Sequence, residues 1–145
     1  MVENIEDYKS LIKKFEQIQL NLDEWHHSEH VAVGVWYLLH FPKNEAIEKM
    51  KNGIKALNAK LGLEQTQTSG YHETWTIFFM LILSKFISNE ENKGLNKIQL
   101  MNACIQHLSD FRGLSREYYS KEVIMSWEAR KSWCPPDLKE FALLG

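Results

Sequence analysis

Gly70-Tyr71-His72-Glu73-Thr74-Trp75-Thr76-Ile77-Phe78-Phe79-Met80-Leu81-Ile82-Leu83-Ser84-Lys85-Phe86-Ile87 is the stretch that decides the fold. Wound at 3.6 residues per turn, residues 71–87 are apolar on most sides. A helix of that kind is buried on every side, so it predicts the central helix of an all-α domain. Gly70 marks its start, and the polar run Ser88-Asn89-Glu90-Glu91-Asn92-Lys93-Gly94 follows its end.

The neighbouring segments carry the narrower stripes of surface helices. Ile5, Tyr8, Leu11, Ile12, Phe15 and Ile18 recur at steps of three and four and predict a first amphipathic helix. A second helix, N-capped by Asp23, is expected to run to about His40, where Pro42 stops it or starts the next. Ala46, Ile47, Met50, Ile54, Leu57 and Leu61 make a third stripe, closed by Gly62. Leu95, Ile98, Met101, Ile105 and Leu108 make a fifth. Shorter helical pieces are expected at 115–119, 120–125 and 126–131, the last capped by Ser126, before an irregular tail from Cys134. With prolines only at 42, 135 and 136, long stretches lack the strongest helix breaker. No strand-like alternation or repeat interrupts the pattern. The prediction is a single all-α domain over 1–145, a bundle of about five main helices with short C-terminal helical segments.

Composition excludes several classes of function. Apolar content of 44% and charged content of 25% are ordinary for a globular protein. A net charge of −2 carries no basic signature for nucleic acid. Lys49, Lys51, Lys55 and Lys60 read as the solvated face of the third helix. Cys104 and Cys134 share no metal motif and form no disulfide framework, and the acidic N-terminus lacks the layout of a signal peptide. The longest apolar runs, 31–39 and 77–83, fall short of the roughly 20 residues that span a bilayer. A cytoplasmic protein with no membrane partner is expected.

Four of the six histidines lie in two short segments, Trp25-His26-His27-Ser28-Glu29-His30 and Tyr71-His72-Glu73-Thr74. His27 and His30, three apart on the second helix, share a face that continues through Gly34 and Leu38. A glycine costs about 1 kcal/mol there relative to alanine, so a ligand or a second helix backbone is expected close to Gly34. His72, placed in the first turn of the fourth helix, shares a stripe with Trp75, Thr76 and Phe79. If the two helices are neighbours, His27, His30 and His72 converge as ligands for a divalent transition metal, zinc or iron foremost. Glu73, about 100° away round the helix, would then act as general base or orient a ligand. A zinc-bound water would be the nucleophile, whereas open positions on iron could take oxygen. A metal-free polar pocket and a purely structural histidine network stand beside this reading. The segment also contains H-x-x-E-H, so His26 with His30 could replace His27 with His30 as the chelating pair. His107 reads as solvated, and His40 as a helix C-terminal residue.

The C-terminal third is dense in aromatic and hydrogen-bonding groups. Tyr118, Tyr119, Trp127 and Trp133 with Arg112, Arg116 and Arg130, together with Tyr71, could line a pocket that closes over the histidines and takes an anion or an aromatic ligand. The same residues could instead pin irregular segments onto the bundle, and that reading is favoured because short segments need anchoring against their ordering entropy.

The motifs His27-x-x-His30, Trp36-Tyr37-Leu38, Gly70-Tyr71-His72-Glu73-Thr74, Tyr118-Tyr119-Ser120, Glu128-Ala129-Arg130 and Pro136-Asp137-Leu138 occur in that order. In this order the chain resembles a family of small bacterial all-helical proteins of unassigned function, over about residues 25–138. The resemblance implies that His27, rather than His26, partners His30, and it links both to His72. It departs at Ser126-Trp127-Glu128, where the family pattern has proline after the serine. The expectation is a metal-binding protein, extending to a small metal-dependent enzyme of unknown substrate. The alternatives are a non-catalytic module for a small-molecule ligand or a structural histidine network. The apolar fourth helix suits a buried centre or a homodimer interface equally well.

Overall fold

The computed structural model describes residues 2–140, and among them every regular element is helical. The apolar stretch that follows Gly70 forms α4, Glu73–Ile87, with Phe78, Phe79, Met80, Leu81, Ile82 and Leu83 all buried in succession. Six consecutive buried positions leave no side of that helix to solvent. α2, His27–His40, is similarly sunk, with Val31, Ala32, Val33, Gly34 and Val35 buried. The centre is thus shared between two helices. α2 packs on α1, Ile5–Glu16, on α3, Lys43–Lys60, on α4 and on α5, Lys97–His107. α4 meets α2, α3, α5 and α8, Trp127–Lys131.

Gly34 explains how the two central helices come so close. A Cβ on it would lie 2.8 Å from Leu83 Cδ1 and 3.2 Å from Met80 Sδ. The space is needed by α4 side chains, which answers the question that this glycine posed. Gly53, inside α3, plays the same part against α1, since a Cβ there would overlap the ring of Phe15, itself 1% exposed. Gly53→Ala is expected to lower stability by about 1 kcal/mol. The overpacking cost of about 1–3 kcal/mol exceeds the gain in helix propensity of about 1 kcal/mol. Urea denaturation checks this, and a more stable variant would contradict it.

Caps set the ends of the helices. Asn4 Oδ1 accepts from Asp7 N–H at 2.9 Å to start α1. Asn96 and Gln99 cap α5 reciprocally, at 2.8 and 3.0 Å. Asp110, Ser120 and Ser126 each accept a backbone N–H to start α6, Phe111–Tyr118, α7, Lys121–Ile124, and α8.

Three expectations are corrected. Ile18 lies beyond α1, in the left-handed region at φ 56°. Asp23 does not cap α2; it sits within a 3₁₀ turn, Leu22–Glu24, and α2 begins at His27, with Glu29 Oε1 accepting from His26 N–H at 2.9 Å. Lys51 is not on a solvated face, because its Nζ pairs with Glu73 Oε2 at 2.7 Å with both side chains about 15% exposed.

Residues 132–140, after α8, form no helix, yet they are tied down. Tyr119 donates its hydroxyl to Cys134 O at 2.6 Å, Leu138 N–H donates to Tyr118 O at 2.9 Å, and Ser120 N–H donates to Asp137 Oδ1 at 2.8 Å. Cys104 is buried and neither cysteine is in a disulfide. Among the described residues, no helix is long and apolar enough to cross a membrane.

Candidate functional site: a cavity lined by three histidines

Because α2 and α4 are neighbours, His27, His30 and His72 line one cavity, of about 690 Å³. α3 contributes Met50, Ile54 and Asn58 to its wall, and the connection into α4 contributes Leu63, Gly70 and Tyr71. Trp75, Thr76 and Phe79 extend it along α4, the α5–α6 connection adds Ser109 and Asp110, and the first turn of α6 adds Phe111 and Arg112. Leu22 and Trp25 complete the wall beside α2. Gly70, at φ 83°, permits the turn into α4, and a Cβ there would strike the backbone of Glu64 and Gln65.

Each histidine has a distinct state. His72 is the N-cap of α4 rather than a first-turn residue. Its Nδ1 accepts from Trp75 N–H at 3.0 Å, and its Nε2 lies 2.7 Å from Ile124 O. A carbonyl only accepts, so Nε2 carries the hydrogen and the ring is neutral. Burial, aided by the nearby Arg130 charge, holds its pKa below the usual histidine range. His27 likewise places Nε2 2.7 Å from Leu108 O and therefore carries its hydrogen there, while no hydrogen bond engages its Nδ1. His30 is only partly exposed, and its Nε2 is buried without any hydrogen-bond partner. Burial, followed by the proximity of His27, pushes its pKa down to about 4.

Aromatic rings build most of the remaining surface. Trp25 meets the His30 ring at 4.1 Å between centroids, and Trp75 meets Phe111 at 5.7 Å. Phe79 and Phe111 stand edge to face at 5.5 Å. The Nε1–H of Trp75 is a second buried polar group without a partner. Asp110 and Arg112, both exposed, are the charged residues of the wall.

The other candidate residues are placed elsewhere. His26 lines a separate, more polar groove, where its Nδ1 meets Glu29 Oε1 at 3.0 Å. His26 and His30 thus open onto different surfaces. Glu73 is not in the cavity wall; one oxygen pairs with Lys51 and the other accepts from the Tyr71 hydroxyl at 2.6 Å. Those partners outweigh burial and keep its carboxyl ionised, below the usual range. Tyr118 and Tyr119 pack on Phe78 at 5.2 and 5.3 Å, away from the cavity. Arg130 reaches back to donate from Nη1 to Gly70 O at 2.9 Å. Gln65 Nε2 donates to both Tyr71 O and Arg130 O, at 3.0 Å each. This C-terminal cluster braces the cavity wall from outside.

The three-histidine metal site does not fit this arrangement. Both ring nitrogens of His72 are committed to backbone groups, and no cluster of three or more His, Cys, Asp or Glu among the described residues is arranged to hold a metal. His40 stacks on Trp36 at 4.2 Å and His107 on Phe86 at 4.0 Å, both outside the cavity. Sequence reasoning missed Asn58, although a polar residue at the step of four after Met50 and Ile54 was a legible signal. Phe111 and Asp110 had none, because their place depends on how α5 and α6 pack.

No protein-family model, curated protein or solved structure matches the chain.

Proposed function

We propose that the protein binds a small, largely apolar organic molecule in this cavity as a non-catalytic module. The observation that carries the reading is one cavity of about 690 Å³ walled by Trp, Phe and Tyr rings around neutral imidazoles. Ligand sites of about 300–1,000 Å³ with apolar walls and a few polar groups are the common form. Neutral histidines orient a ligand by hydrogen bonds without the cost of burying charge.

Trp25 and Trp75 in the wall make occupancy visible in tryptophan fluorescence. A panel of uncharged aromatic compounds is expected to yield saturable quenching and a raised melting temperature for at least one member. Ile54→Trp, which fills the cavity, is expected to weaken that binding at least tenfold. An inert panel, or undiminished binding to the filled variant, refutes the reading.

A second reading retains a metal, on the observation that His27 Nδ1 and His30 Nε2 are uncommitted. Zinc or iron would then be held by two imidazoles, with its other positions filled from outside the chain. Metal uptake would be abolished by His27→Ala and would survive His72→Ala. Uptake lost in both variants would instead restore the three-histidine site.

A further inference from the structure

We infer that the ligand of this cavity is a planar, conjugated heterocycle bearing a lactam-type edge, whose carbonyl accepts from Trp75 Nε1–H and whose remaining polar atom meets His30 Nε2. The inference rests on the small-molecule reading above and adds the chemical class of the ligand.

Three buried side-chain polar atoms among the described residues lack a partner, and two of them, His30 Nε2 and Trp75 Nε1, belong to residues of this wall. A buried polar atom without a protein partner gives up hydration that only a water or a ligand can replace. Indole Nε1 can only donate, so its missing partner is an acceptor. A neutral imidazole Nε2 accepts or donates according to its tautomer, and a lactam edge offers both a C=O and an N–H. Each atom is buried within a residue of the cavity wall, so a ligand engages it once the ring turns toward the cavity. Trp25, Trp75 and Phe111 all line the cavity, and aromatic rings pack well against a planar conjugated partner. Purine and pteridine rings have this chemistry.

Fluorescence titration with naphthalene, quinoline and 2-quinolone tests the inference, since the three share size and shape and differ in polar atoms. 2-Quinolone is expected to bind about tenfold more tightly than naphthalene, with quinoline between them. In Trp75→Phe, which keeps Trp25 as reporter, quinoline should fall to the level of naphthalene, and 2-quinolone should keep only the part of its advantage that His30 supplies. In His30→Phe, 2-quinolone should fall to the level of quinoline. Equal binding of all three probes, or an advantage of quinoline over naphthalene that survives Trp75→Phe, overturns the inference and leaves the cavity reading intact. Failure of all three to bind saturably overturns the cavity reading itself.

Discussion

Between pH 6.5 and 4 the protein is expected to lose up to about 3 kcal/mol of stability, and His30→Leu to remove most of that loss. An unfolded chain protonates this histidine near 6.5, whereas burial delays protonation in the native state to about 4. Within that window the unfolded state binds more protons, so acidification favours it. Each unit of separation is worth about 1.4 kcal/mol, which sets the upper figure, and the partial exposure of the ring lowers it. The contribution is fully present above pH 6.5 and gone once the pH passes below the native value. His72, also depressed, acts in the same direction. Glu73 and Glu29, held below the usual carboxylate range, add losses only at more acid pH, as the pH falls through their native values. Urea denaturation at pH 7, 5.5 and 4.5 measures the slope. Parallel slopes for wild type and variant would mean that the His30 imidazole takes up its proton in the native state as readily as in solution.

Thr74→Val is expected to cost about 2 kcal/mol and to lower the melting temperature by roughly 5 °C. Thr74 is fully buried, and its hydroxyl donates to Ser132 O at 2.7 Å and accepts from Cys134 N–H at 2.9 Å. Valine keeps the shape and strips both backbone groups of their partner. Thr74→Ser keeps the hydroxyl and is expected to lose less. Circular dichroism melting distinguishes them, and a valine variant as stable as wild type would show that water replaces the hydroxyl without cost.

The helical stripes were legible because burial on one face imposes a period on the residues themselves, as in Tyr8, Leu11, Ile12 and Phe15. Helix ends were less so. The apolar stripe of α1 continues through Ile18, but the backbone has already turned, and an apolar side chain carries no record of its φ angle. His72 was misplaced by one position, because histidine is an uncommon N-cap and nothing local distinguishes the cap from the first turn. His27, His30 and His72 could be listed from their residue type, yet their sharing of a cavity depends on α2 lying against α4, which Gly34 hinted at. Lys51 and Glu73 lie on different helices, and their pairing follows only from tertiary packing. The role of Glu73 therefore could not be read from its place beside His72.

The braces behind the cavity wall span long loops of chain. His72 bonds to Ile124, Thr74 to Ser132 and Gly70 to Arg130, across 52, 58 and 60 residues. Such distant contacts are the slowest to form, since loop closure precedes any gain. On the ribosome, residues 70–76 emerge well before the segment that fixes them. Until that segment arrives, the imidazole of His72 has only its helix to hold and Gly70 O faces solvent. The braced cavity wall is therefore a late product of synthesis, completed after the helices that carry it.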